Sequence, residues 1–242
     1  RIQMETVITD VNSSNIDSLI EDVDLIMDAT DNFEVRMLIN EACHHHQKTW
    51  IYGGALGASG MTMNFIPGED KPCLCCLMGT GLSAPGSEPT CATAGVLNTT
   101  TNIIASLQCT EALKILTGSD AARTRLLVID LWENSFDLIS AVKDPQCPVC
   151  GKGEYEYYGK LRGIQTTSLC GRDSVQVVPE HTANIDFASF AAKLENLGKV
   201  SRNAYTLDFD NGQFQIKLFK NGRAIIKHVT DEKRAKSIYS EY

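Results

Sequence analysis

No apolar run in this chain of 242 residues approaches the roughly 20 residues that a membrane-spanning helix needs. A bilayer role through such a helix is therefore excluded, and no secretory signal is in view at the start. Positive charge is also scarce. Lys and Arg number 22 against 30 Asp and Glu, a formal net charge of −8, so neither nucleic acid nor an anionic lipid surface would attract the chain. Internal repeats and low-complexity tracts are missing. The nine cysteines form no disulfide framework: their number is odd and most have metal-type spacing, which implies a reducing, cytoplasmic setting. What is present is a hydrophobic fraction of 43%, enough for a well-developed core in one large domain or a medium domain plus a small one. The sequence opens on Arg1 and passes at once into a strand-like run, Met4–Ile8, as expected for the later part of a longer protein.

Two Cys-x-x-Cys pairs, Cys73/Cys76 and Cys147/Cys150, are the strongest local signal. One such turn brings two thiolates to one side of a metal ion, and a second completes a tetrahedron around zinc. Pro72 before the first pair, and Pro145, Pro148 and Gly151 around the second, suit tight knuckles. Cys75 lies between the first two and offers itself as a replacement ligand, although the spacing favours Cys73 and Cys76. A metal closing so long a loop would tie the end of a domain to its middle.

The pattern from Val23 to Ile66 is strand, helix, strand, strand. Val23–Ala29 reads as a buried parallel strand, and a helix runs from the Thr30-Asp31-Asn32 cap to about Gln47. Strands follow at Trp50–Ala55 and Met61–Ile66. This order implies a right-handed crossover in an α/β sheet. A Gly-, Ser- and Pro-rich loop at 79–90 precedes a helix expected over 94–116, with Ile103, Ile104, Leu107, Leu113 and Leu116 inward and Gly118 at its end. A hairpin is expected over 126–139. Beyond a Tyr- and Gly-rich linker the pattern becomes α+β: a strand at 174–178, a helix from Asp186, hairpin turns at Asn211-Gly212 and Asn221-Gly222, and a terminal helix. The expected division is 1–158 and 159–242.

Several positions carry two readings. Asp31 lies at the carboxyl end of a strand, where open α/β sheets bind ligands and a carboxylate can hold Mg²⁺ against nucleotide phosphates. Equally, Asp31 and Glu34 can form a capping box. Cys91, just before the long helix, gains thiolate character from the helix N-terminus or is an incidental loop cysteine. Cys109 is assigned to the core. His44-His45-His46 would be a poor chelate, because consecutive helical residues point apart. Gly53-Gly54-x-x-Gly57-x-x-Gly60 is discounted as a dinucleotide fingerprint, because a strand rather than a helix follows it.

Taken together, Asp28-Ala-Thr-Asp31-Asn32, Arg36, Asn40, Cys43, Gly54-Ala55, Pro72-Cys73-x-x-Cys76-Leu77, Thr90-Cys91-x-x-Ala94-Gly95-Val96, Ser106-Leu107-Gln108-x-x-Glu111-Ala112-x-Lys114 and Cys147-x-x-Cys150-Gly151 resemble the ubiquitin-activating-enzyme-like superfamily of adenylyltransferases, in its ThiF/MoeB form. The resemblance covers about Val23 to Gly151. It implies a Rossmann-like, mostly parallel sheet, incomplete at its N-terminus, with a four-cysteine zinc site beside the small C-terminal α+β domain. It further implies ATP-dependent adenylation of the C-terminal glycine of a ubiquitin-like sulfur-carrier protein, within a homodimer.

On the same basis Asp31 would bind Mg²⁺ and ATP with Asn32 beside it, and Cys91 would match the loop cysteine that can link covalently to the carrier. Cys73, Cys76, Cys147 and Cys150 would hold zinc. The C-terminal extension favours the thiamine-thiazole type. A molybdopterin-type activator and a non-catalytic, zinc-stapled carrier-binding protein are the alternatives. The family's Gly-rich nucleotide turn and triphosphate-binding basic residues find no match in the chain, so as given it is expected to adenylate weakly or not at all.

Overall fold

The computed structural model describes residues 2–79, 94–160, 165–169, 173–179 and 184–242. It divides into two compact units, Arg1–Lys160 and Leu161–Tyr242.

In the first unit the described elements run α1 (Ile16–Ile20), β1 (Ile26–Met27), α2 (Phe33–His45), β2 (Trp50–Leu56), β3 (Ser59–Phe65), α3 (Leu74–Met78), α4 (Asn98–Leu116), β4 (Leu126–Asp130) and β5 (Ser135–Ile139). They form one sheet in the order β1-β2-β3-β4-β5. The expected strand–helix–strand crossover is present, with β1 and β2 parallel through Ile26↔Trp50 and Met27↔Ile51. Parallel pairing stops there among the described strands, in contrast to the mostly parallel sheet expected; the other three pairs are antiparallel. The connections explain this. Only Gly57 and Ala58 separate β2 from β3, with Gly57 at φ 58°, and so short a link can only fold a strand back beside its neighbour. The four residues between β4 and β5 do the same, with Asn134 at φ 56°.

Met4–Ile8 is not a strand. No described strand lies beside it, an unpaired extended segment gains no ladder hydrogen bonds, and Met4 and Ile8 are exposed. The helix α2 begins after Asn32, whose side chain accepts the Glu34 and Val35 amides at 2.8 and 3.2 Å. Asn32, not an Asp31–Glu34 box, is therefore the N-cap. Its buried side, Met37 to Cys43, packs into the main core with Trp50, Tyr52, Met63 and Phe65, and Trp50 stacks on Phe65 at 4.7 Å.

The long helix α4 corrects two expectations. It starts at Asn98, because the backbone at 95–97 pairs with Gly57 instead: Gly57 N donates to Gly95 O, and Leu97 N to Gly57 O, each at 2.9 Å. Its inward face is Thr100, Ile104, Gln108, Glu111 and Ala112, while Leu113, Leu116 and Cys109 are exposed. The seat that selects this face is made by glycines. A Cβ on Gly53 would lie 2.6 Å from the Gln108 side chain, and one on Gly60 would lie 2.7 Å from Ile104. Gly118, at φ 68°, ends the helix as expected, with Ser119 N closing onto Lys114 O at 2.9 Å.

The second unit contains β6 (Gln165–Leu169), β7 (Ser174–Val178), α5 (Phe187–Leu194), β8 (Lys199–Arg202), β9 (Thr206–Asp210), β10 (Gln215–Phe219), β11 (Ala224–Lys227) and α6 (Glu232–Glu241). Its sheet is antiparallel throughout, in the order β6-β7-β11-β10-β9-β8. Alternate residues Val175, Val177, Leu207, Phe209, Ile216, Leu218 and Ile226 build one core face, covered by Phe187 and Leu194 of α5 and Ile238 of α6. Both Asn-Gly turns form where expected, with Gly212 at φ 86° and Gly222 at φ 89°.

Candidate functional site

The structure brings all four cysteines of the two pairs together. One Sγ from each of Cys73, Cys76, Cys147 and Cys150 lies within 4.8 Å of the other three. Cys73 and Cys147 approach to 3.7 Å, and Cys76 and Cys150 to 3.3 Å. Tetrahedral zinc with Zn–S bonds of about 2.3 Å sets its sulfurs about 3.8 Å apart, so the tetrad fits zinc. Local turns create it. Cys76 N donates to Cys73 O at 3.1 Å in the first knuckle, and Gly151 N to Cys147 O at 2.9 Å in the second. Gly151 is required there, because a Cβ would sit 2.4 Å from Pro145 O. The Asp144 amide donates to the Cys76 sulfur at 3.4 Å.

As free thiols the cluster is electrostatically uncomfortable. Burial, and then the neighbouring sulfurs, push Cys73 up to about 11. Burial also raises Cys75 and Cys150. Cys147 falls to about 7: burial opposes the fall, but N–H groups of Cys150 and Val149 and the adjacent thiols of Cys73 and Cys150 donate to its sulfur and outweigh it. Several thiolates can share this space only around a cation. Cys75, although buried, stands outside the tetrad.

Two side chains not singled out as functional in the sequence hold this region. Asn40 accepts the Leu74 amide at 2.8 Å, and Glu41 accepts the amides of Glu156, Tyr157 and Tyr158 at 3.0, 2.7 and 2.8 Å. Their signal was a polar pair in the middle of an otherwise buried helix face. The His44-His45-His46 run packs on Tyr155 and Tyr158, with His44 Nδ1 3.0 Å from the Tyr155 hydroxyl and His46 Nε2 2.7 Å from Asp17.

A second polar constellation lies at the end of β1. Asp28 is buried and accepts from the Thr30 amide and hydroxyl at 2.9 and 2.7 Å. Arg36 closes the turn: its Nε lies 2.9 Å from Asp28 Oδ2, and Nη2 donates to Thr30 O and, at 3.1 Å, to Gly53 O. Gln108 Nε2 donates to Asp28 O at 2.8 Å. These bonds fix the backbone from which Asp31 projects into solvent, with no side-chain partner among the described residues. Asn32 adjoins it, its carbonyl spent on the helix cap. Cys91 lies outside the described residues. No described helix is long and apolar enough to cross a membrane.

The comparisons with known proteins follow the same outline. The ThiF family matches residues 1–149. The Sulfur carrier protein ThiS adenylyltransferase of Bacillus subtilis is 34% identical over 244 residues, covering 100% of this chain and 71% of that protein. The SAMP-activating enzyme E1 of Haloferax volcanii is 33% identical over 69% of this chain and 62% of its own length. For the Sulfur carrier protein adenylyltransferase of Thermus thermophilus the figures are 34%, 62% and 57%. The chain thus spans less than two thirds of the last two. A solved structure of E. coli MccB with ATP superposes at a TM-score of 0.49 and 15% identity over 60% of this chain and 45% of its own. With the family matched across most of the first unit and one relative aligned along the whole of this chain, this chain belongs to the ThiF family.

Proposed function

We propose that the protein adenylates the C-terminal glycine of a ubiquitin-like sulfur-carrier protein, with the thiamine-thiazole carrier as its client. The observation that carries this reading is the Asp28–Thr30–Arg36 turn, which holds the exposed Asp31 carboxylate at the carboxyl end of β1, where α/β sheets bind their ligands. The thiamine assignment draws on the B. subtilis relative, whose similarity extends through 161–242, whereas the other two relatives cover 62–69% of the chain.

In this reading the carrier carboxylate attacks the α-phosphorus of ATP. A carbonyl–oxygen–phosphorus anhydride forms, the bond to the bridging oxygen of the β-phosphate breaks, and pyrophosphate leaves. Two anions must approach, and Asp31 would hold a Mg²⁺ whose charge would offset their repulsion. Asn32 offers its amide N–H groups to the nucleotide. Cys91 is the loop thiol whose thiolate attacks the carbonyl of the acyl adenylate, forming a thioester as AMP leaves, and the protein works as a cytoplasmic homodimer. The sulfur tetrad holds zinc, which supplies a structural cross-link and takes no part in the chemistry.

The test is ATP–pyrophosphate exchange with thiamine-type and molybdopterin-type carriers by the full-length protein, since these 242 residues alone are expected to adenylate weakly or not at all. Exchange should require the thiamine-type carrier, fall by more than about 100-fold in Asp31→Ala, in line with loss of electrostatic stabilisation at a transferring phosphoryl group, and persist in Cys91→Ala. Wild-type exchange by Asp31→Ala would reject the assignment of that residue, and preference for the other carrier would reject the client.

A further inference from the structure

Two adjacent side chains on the buried side of α2 reach opposite arms of the sulfur tetrad. Asn40, 1% exposed, accepts the amide of Leu74, the residue that follows Cys73 in the first knuckle. Glu41, also 1% exposed, accepts three consecutive amides on the chain that leaves the second knuckle after Cys150. A carboxylate is expensive to bury unless donors compensate for lost water, and three N–H groups converging on one side chain do so here. His44 secures the same segment through the Tyr155 hydroxyl. Because both anchors are consecutive residues of one rigid helix, α2 sets the separation of the knuckles. The long intervening chain does not have to.

The charge around Asn40 points the same way. Its carbonyl oxygen is committed to an N–H, so the remaining group is the amide donor, and that donor is buried with no acceptor among the described residues. Asn40 lines one cavity with Cys73, Cys150, Lys48 and Lys71, and no Asp or Glu among the described residues lines it. Four thiolates around a divalent ion carry a double negative charge. A free N–H donor suits such a centre, and Lys71 adds positive charge to the cavity lining, whereas the Lys48 ammonium is held on Glu21 O and Val23 O. A small-anion ligand in the same cavity would be repelled by that centre.

We infer that Asn40 and Glu41 are the positioning residues of the zinc site, holding its two halves in register before metal arrives and favouring the charge that metal binding creates. This rests on the zinc reading above. A role confined to folding would lower the stability of the metal-free protein and leave the affinity of the folded protein unchanged; a positioning role lowers the affinity itself.

The experiment is zinc competition against a chromophoric chelator, paired with Co²⁺ titration of the 242-residue chain, for wild type, Glu41→Gln and Asn40→Asp. Wild type should take up one equivalent and show the absorption of tetrahedral thiolate-bound Co²⁺. Both variants should bind about 10–100-fold more weakly, the usual cost of disturbing a ligand's hydrogen-bond partner, with the same Co²⁺ spectrum at saturation. Asn40→Asp keeps an acceptor for Leu74 N and replaces only the donor with a charged oxygen, so its loss isolates the electrostatic contribution. Tyr155→Phe, which removes one hydroxyl, carries the test of the second arm if Glu41→Gln does not fold, and should weaken binding in the same direction. A wild-type chain that binds neither ion removes the zinc reading and this inference together. Wild-type affinity in all folded variants, with the zinc site intact, removes this inference alone.

Discussion

Single residues in this protein matter most where their neighbours leave no alternative. Gly53 is one such place: the Gln108 side chain occupies the space a Cβ would need, and its amide is spent on Asp28 O and Ile51 O. Gly53→Ala must push α4 off the sheet or break those bonds, and a loss of about 1–3 kcal/mol is expected in urea denaturation. Arg36 is another. Its removal leaves the buried Asp28 carboxylate without a cation, at a cost of about 3–5 kcal/mol. Arg36→Met should therefore unfold at much lower urea, whereas Asp31→Ala, at an exposed position, should unfold with wild type. A large stability loss in Asp31→Ala would mean that Asp31 has a structural duty.

Among the elements, α4 carries the least expected chemistry. Glu111 on its buried face accepts from Asn64 Nδ2 at 2.6 Å, the Arg123 amide at 2.7 Å and Lys114 Nζ at 2.6 Å. Burial alone would raise its pKa, but Lys114, the Arg123 amide and Asn64 outweigh burial and hold it below the ordinary glutamate value. The folded state thus binds this proton less readily than the unfolded chain, whose glutamates titrate near pH ~4.3. Glu111 therefore contributes stability that is fully present above that pH and lost as pH falls through the folded value. Glu111→Gln should be less stable than wild type at pH 7 and show a shallower decline between about pH 5 and 3. Thermal unfolding across that range checks it, and parallel acid limbs would contradict it. Of the apolar residues expected inward, Ile103, Ile104 and Leu107 do pack against Leu127 and Ile129, but Leu113 and Leu116 are exposed, because the hydrogen bonds to Gln108 and Glu111 and the glycine seat set the rotation of the helix.

At the scale of the molecule, each unit has its own main core among the described residues, the first with a smaller cluster at Ile104, Leu127 and Ile129 besides. The first contains Cys73, Cys75 and Cys147 among its buried residues, and among the described residues the second contains no cysteine. Zinc removal by chelator should then lower one calorimetric transition by more than about 5 °C, because a structural metal contributes folding free energy and ~1 kcal/mol moves a domain of this size by about 2–4 °C. The transition of the second unit should stay in place. A uniform shift of all transitions, or none, would contradict a metal staple confined to the first unit.

Much of this was legible in the amino-acid order, because the physics involved is local. Alternation at Val175/Val177 and Leu207/Phe209, Asn-Gly turns that need positive φ, Gly118 after a helix and the spacing of two cysteine pairs depend on residues a few positions apart. The closure of Cys73 and Cys76 onto Cys147 and Cys150 was legible too, since tetrahedral metal chemistry demands four sulfurs. Only the tertiary structure decided that β3 runs antiparallel to both β2 and β4, the rotation of α4 and the duties of Asn40 and Glu41. Those depend on which backbone groups arrive beside them: amides at 74 and 156–158 converge on one helix turn from positions far along the chain, and no periodicity encodes a partner that distant.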